Sequence, residues 1–169
     1  PLMAKFNHLG EAQSIRGLAQ YTEEVRDRFI NLAISYNINI ITGSMPYVKE
    51  DGGLYNVGFL VRRDGSYEMY EKVHVTPDEI KSWGLSGGKM VQTFDTDCAK
   101  IGILICYDVE FPELSRIMAD QGMQILFVPF LTDTQNGYSR VRVCAQARAI
   151  ENECFVVIAG SVGNLPRVH

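Results

Sequence analysis

Apolar residues recur on a helical period from Thr22 to Asn37, where Val25, Phe29, Leu32, Ala33 and Tyr36 share one face. Glu23 and Glu24 fall in the first turn of that segment, the end at which the helix dipole favours acids. An amphipathic helix is predicted there. The pattern then changes to a β-branched run, Ile38-Asn-Ile-Ile-Thr-Gly, which predicts a short strand ended by glycine. Leu54 to Arg62 and Ser66 to Val75 read as two strands joined around Asp64-Gly65, a dipeptide suited to the positive φ angles of a tight turn, with Lys72 on the second arm. Beyond residue 100 the alternation is regular: strand Ile101 to Cys106, helix Pro112 to Gln121, strand Gln124 to Phe130, helix Ser139 to Asn152, strand Cys154 to Val162. This is a β-α-β-α-β series of an α/β protein, and Pro112 in the first helical turn and Gly122 just past the helix end fit their positions. No repeat or linker interrupts residues 1–169, which are therefore expected to form a single domain. Pro1 begins without an opening strand and residues 160–169 run on where a further element is expected, so a domain truncated at both ends is anticipated.

Composition narrows the function classes. The 169 residues are 46% hydrophobic and 21% charged, enough for one globular core. A net charge of -4, with both signs interspersed, provides no basic field for phosphates and argues against a nucleic-acid partner. The longest apolar stretches, Ile101 to Cys106 and Ile125 to Leu131, are far shorter than a bilayer span, and no N-terminal signal pattern is present, so no membrane association is expected. Cys98, Cys106, Cys144 and Cys154 lack CxxC spacing in a chain that needs no staples, which points to a reducing cytoplasm. His8, His74 and His169 form no short cluster with each other or with the cysteines, so neither a metal nor another cofactor is expected.

The candidate chemistry centres on Lys100-Ile-Gly-Ile-Leu-Ile-Cys-Tyr-Asp-Val-Glu-Phe-Pro-Glu, an apolar strand that stops at a thiol just before a helix. Open α/β sheets bind ligands outside the carboxyl ends of strands, where a deprotonated thiol can attack a carbon centre. The alternative for Cys106 is a small buried hydrophobe, which is what most free cysteines are. Taken alone, Lys72 is a solvated strand lysine, and Glu113 is a first-turn helix acid within reach of Arg116. Arg148, Glu151 and Asn152 lie at helical spacing, which mutual pairing and a helix-end role explain. Gly84-Leu-Ser-Gly-Gly-Lys-Met does not have phosphate-loop spacing and reads as a turn-rich loop.

Three segments, Tyr70-Glu-Lys-Val-His-Val-Thr-Pro, Gly102-Ile-Leu-Ile-Cys-Tyr-Asp-Val-Glu-Phe-Pro-Glu-Leu and Arg148-Ala-Ile-Glu-Asn, resemble in order and separation the signatures of the nitrilase superfamily of carbon-nitrogen hydrolases. The resemblance implies an α-β-β-α sandwich that becomes four-layered on dimerisation, here a partial domain, and a homodimer acting on a small-molecule amide or nitrile. It makes Cys106 the nucleophile that forms a thioester, Lys72 the catalytic lysine and the backbone N–H of Tyr107 an oxyanion donor. Glu79 lies where several members carry a further active-site glutamate; it either faces Lys72 or is a loop carboxylate. The family's first glutamate follows an N-terminal strand in an F-P-E context, a position that would fall before Pro1; Phe111-Pro112-Glu113 follows the cysteine and resembles a different family segment. An amidase is the expected activity. Nitrile hydrolysis and acyl transfer would use the same residues, a Cys106–His74 dyad is a second mechanism, and a non-catalytic nitrilase-like module with Cys106 buried is the rival from another class.

Overall fold

A computed structural model describes residues 3–6 and 8–161. The chain divides into two compact units, Pro1–Met90 and Val91–His169. The first unit is organised by one strand, β3 (Leu54–Val61), six of whose eight residues are buried. The segments β1 (Ile40–Ile41) and β2 (Met45–Val48) pair antiparallel along one edge of β3. Its other edge carries β4 (Tyr67–Glu71), antiparallel, and β5 (Leu85–Ser86), parallel. Two helices precede this sheet, α1 (Glu11–Leu18) and α2 (Thr22–Tyr36).

Side chains alternate across β3 and divide the apolar contacts into two clusters. Val57, Phe59 and Val61 pack with Ala33, Phe29 and Ile30 of α2. Leu54 joins Ile15 and Ala19 with Leu85, and Trp83 and Val75 pack against them. Helix α2 has the predicted span and is closed by Asn37 in the left-handed region (φ 53°). Its buried stripe is not the predicted one, because Leu32 and Tyr36 are exposed while Ala33 is fully buried. The stripe is rotated toward Ile30 and Arg26, whose guanidinium lies 4.9 Å from the Tyr67 ring centroid and 5.8 Å from that of Phe59. A cation over aromatic faces takes a place that a hydrophobicity pattern assigns to an apolar residue.

The hairpin around Asp64-Gly65 forms as predicted, with Gly65 at φ 87° and the Asp64 carboxylate accepting the Ser66 N–H at 2.9 Å. Its second arm is shorter than expected. Strand β4 ends at Glu71, and Lys72 extends the ladder by one bond, its N–H donating to Asn56 O at 2.9 Å. Residues 73 and 74 bend away, so the period-two argument that would set His74 beside Lys72 has no strand to act on. Segments α1, β2 and β5 carried too few apolar residues on one period to be predicted.

The second unit follows the predicted alternation. Strands β7 (Lys100–Ile103), β8 (Ile125–Phe130) and β9 (Phe155–Gly160) are parallel, joined through α3 (Pro112–Asp120) and α4 (Gln135–Asn152). A short antiparallel strand, β6 (Thr93–Asp95), completes the order β6-β7-β8-β9. Helix α4 begins four residues earlier than predicted because Thr134 caps it, its hydroxyl accepting the Gly137 N–H at 3.0 Å. Strand β9 stops at Gly160, and the predicted strand end at Val162, like His169, lies outside the described residues. Among the described residues no helix is long and apolar enough to cross a membrane.

Burial sets the first prediction. Leu126, at 0% exposure in β8, and Ile150, at 79% on α4, are both branched aliphatics. Leu126→Ala is expected to lower unfolding stability by about 2–5 kcal/mol, and Ile150→Ala by no more than ~0.5 kcal/mol, in urea titrations of the same protein.

Candidate active site

In the second unit the chain leaves β7 at Ile103, continues the ladder through Leu104 N–H to Phe127 O at 3.0 Å, and turns sharply at Cys106. Cys106 has φ 50°, in the left-handed region. Asn37 and Glu153, the other non-glycine residues with positive φ among those described, close helices; Cys106 opens a 3-10 turn, Cys106–Glu110. Such a conformation costs on the order of 1–3 kcal/mol and persists only where neighbouring structure holds it.

Two buried polar side chains hold it. Asp108 is fully buried, and its carboxylate accepts the Ile105 N–H at 3.3 Å while its own N–H donates to Ile105 O at 3.1 Å. Arg148 reaches across from α4, where Nε donates to Val109 O at 3.0 Å and a terminal nitrogen approaches Glu110 O at 3.5 Å. Glu151 pairs with Arg148 at 2.5 Å, and Asn152 Nδ2 donates to Arg148 O at 2.9 Å and Ser115 Oγ at 3.3 Å. The Arg-Ala-Ile-Glu-Asn segment therefore clamps the back of the turn that carries Cys106.

The Cys106 side chain is half-buried, with Sγ 3.7 Å from Leu131 O. Tyr107 follows directly, its ring edge-on to Phe111 at a centroid distance of 5.0 Å. The other cysteines have different surroundings. Burial pushes the thiols of Cys144 and Cys154 above their ordinary range, reinforced at Cys144 by the Glu110 carboxylate, and Cys98 is exposed.

In the first unit, Lys72 is buried at 2% exposure. Its Nζ donates to both carboxylate oxygens of Glu79, at 2.7 and 2.6 Å. Thr76-Pro-Asp-Glu79 explains how Glu79 reaches it. The Thr76 hydroxyl accepts the Glu79 N–H at 3.2 Å and the Glu79 carboxylate accepts the Thr76 N–H at 2.7 Å, a reciprocal capping box. Pro77 sits in the first turn, where no N–H is needed, and a π-helical turn, Glu79–Trp83, follows. One carboxylate thus starts the turn and neutralises the lysine. The T-x-x-E spacing of Thr76 and Glu79 is a capping-box signal legible in the sequence. The Arg148 contacts to carbonyls of the cysteine turn have no such local signal, because they join residues nearly forty positions apart.

The structure therefore brings Lys72 and Glu79 into direct contact in one unit and puts Cys106 and Tyr107 on one strained turn in the other. His74 is half-buried in the bend after Lys72. Glu113 opens α3, as a first-turn acid does, and Arg116 donates to Glu151 O at 2.9 Å rather than pairing with it. No group of three or more His, Cys, Asp and Glu side chains suited to a metal ion occurs among the described residues.

Comparison with known proteins identifies the family. A family model described as carbon-nitrogen hydrolase matches residues 4–169. A probable hydrolase of Bacillus subtilis (strain 168), YhcX, is 51% identical over 166 residues, covering 98% of this chain and 32% of that protein. Deaminated glutathione amidase of Synechocystis is 34% identical over 144 residues, covering 78% of this chain and 53% of the amidase. Among solved structures, Saccharomyces cerevisiae Nit3, a member of branch 10 of the nitrilase superfamily, superposes with a TM-score of 0.79 at 29% identity, over 86% of this chain and 54% of Nit3. The chain thus spans between a third and about half the length of these relatives. With a matching family model across nearly all of its residues and the α/β fold of the nitrilases, the chain belongs to the carbon-nitrogen hydrolase family.

Proposed function

We propose that the protein containing this chain hydrolyses the C–N bond of a small amide, with Cys106 as nucleophile, Lys72 as the charge-stabilising lysine and Glu79 as its partner. The observation that carries the reading is the left-handed Cys106 backbone immediately after a buried parallel strand, clamped by Asp108 and Arg148. Strain of this kind at a thiol has no packing benefit of its own, and a strand-to-helix turn of this shape is how α/β hydrolases present a nucleophile.

The chemistry follows from the groups. The Cys106 thiol gives its proton to a carboxylate and Sγ bonds to the amide carbonyl carbon, leaving a negative oxygen. The Lys72 ammonium and the Tyr107 backbone N–H stabilise that oxygen. The tetrahedral species collapses, the C–N bond breaks, and the nitrogen leaves with the proton as ammonia or an amine. Water then attacks the thioester, its proton passing to the carboxylate, and the C–S bond breaks to release the acid and regenerate the thiol. By the family resemblance the carboxylate that takes the proton is the family's first glutamate, a role to which no residue of this chain is assigned. Glu79 has another task, since its two contacts with Lys72 pair the ammonium and fix its direction. The amidase relatives support a small amide substrate. A dimer in a reducing cytoplasm belongs to the same proposal, and nitrile hydrolysis or acyl transfer would proceed through the same Cys106 adduct.

Two tests apply to the full-length protein. Cys106→Ala is expected to abolish turnover on a panel of primary amides, and iodoacetamide near neutral pH is expected to label Cys106 ahead of Cys98, with Cys144 and Cys154 slowest. Equal slow labelling of all four thiols, or retained turnover in Cys106→Ala, would return the chain to a non-catalytic role. In the second test Glu79→Gln is expected to lower kcat about a hundredfold with little change in KM, measured by ammonia release; a change confined to KM would make Glu79 a substrate-binding group instead.

A further inference from the structure

Glu71 ends β4 and Lys72 extends its ladder by one bond, so alternation sends the two side chains to opposite faces of the sheet. A carboxylate on the far face cannot touch a substrate held by Lys72, yet Glu71 is itself closely held. Its carboxylate pairs with Lys49 Nζ, accepts the Lys89 N–H at 2.9 Å and faces the Met90 N–H. Lys49 is itself held in place, its ammonium 4.1 Å from the Tyr55 ring centroid. Burial raises the Glu71 carboxyl, but the hydrogen bonds from Lys49 and the two backbone N–H groups outweigh it and hold the group below the ordinary carboxylate range.

The consequence falls on the backbone of Lys72. Gly88 N–H donates to Lys72 O at 2.8 Å, so residues 87–90 form a strap along β4, while Lys72 N–H is bonded to β3 on its other side. Gly87 and Gly88 allow this approach: a Cβ at Gly87 would lie 2.5 Å from Val73 O, and one at Gly88 would lie 2.4 Å from the Glu71 side chain. The strap carries no strand pairing of its own at residues 87–90. The Glu71 carboxylate anchors it.

We propose that Glu71, paired with Lys49, is a positioning residue for Lys72: it ties the glycine strap of residues 87–90 to β4 and so fixes the backbone from which the Lys72 ammonium projects. This rests on the reading of Lys72 as catalytic. Loss of the tie frees the Gly88–Lys72 bond and lets the lysine stem move by a fraction of an ångström, a displacement that costs rate more than binding.

The experiment compares Glu71→Ala, Glu71→Gln, Lys49→Met and Lys72→Met in the full-length protein, by amide turnover and by amide hydrogen exchange at Lys72, Gly88, Lys89 and Met90. Glu71→Ala is expected to lower kcat about tenfold with KM changed less than about twofold. Glu71→Gln, which keeps an acceptor for Lys89 N–H, is expected to recover part of that loss, and exchange at Gly88 and Lys89 to accelerate in Glu71→Ala. Lys49→Met removes only the ion pair and should show the same effects more weakly, which keeps the test open if Glu71→Ala does not fold. Unchanged exchange at Gly88 and Lys89, or an unchanged kcat alongside faster exchange, overturns the proposal. Failure of the underlying reading has its own signature, full turnover in Lys72→Met, and that result overturns the positioning role as well.

Discussion

A half-buried thiol cannot stay on a left-handed backbone unless the turn behind it is tied down, and in this chain Arg148 does the tying. Its guanidinium, buried at 5% exposure, spends its donors on two carbonyls of the cysteine turn and on Glu151. A planar fork of fixed donors suits carbonyls that no helix or ladder satisfies, and a lysine could not reproduce it. From the other side Asp108 satisfies the Ile105 N–H at the strand end. The parallel sheet of β7, β8 and β9 supplies the rigid base, and α4, whose last turns carry Arg148, Glu151 and Asn152, is the element the clamp depends on.

The first unit solves a similar problem with an ion pair. Burying an ammonium is costly unless it is paired and hydrogen-bonded, and Lys72 meets both carboxylate oxygens of Glu79. Glu79 is held in turn by the capping box with Thr76, so the pair does not depend on two free long side chains finding each other. Each unit therefore presents one candidate site residue on a short irregular segment fixed by a buried charged partner. That is a costly use of buried polar groups if stability alone is the aim, and it is the arrangement expected of preorganised chemistry.

Much of this was legible in the sequence. The β-α-β-α-β series appeared because its apolar runs are long and its helices carry proline and glycine punctuation at Pro112 and Gly122. The three family signatures carry the family assignment and include Lys72 and Cys106, while Glu79 lies just past the first of them and its place beside Lys72 comes from the structure. What remained unread has physical reasons. The face of α2 was misassigned because Arg26 lies on aromatic rings, which no apolar period reports. The short strands β2, β5 and β6 owe their existence to the neighbours they pair with. The left-handed φ of Cys106 could not be inferred from a residue type that avoids it, and Glu71 carries no local signal because its partners lie more than fifteen residues away on either side.

The central claim is that Cys106 carries a covalent acyl intermediate, and mass spectrometry of the full-length protein quenched in acid during turnover of a small amide tests it most directly. The account predicts a mass increase equal to the acyl group, located on the peptide containing Cys106 and discharged by hydroxylamine as a thioester is. Turnover with no adduct on Cys106, or an adduct on Cys98, Cys144 or Cys154 instead, would contradict it.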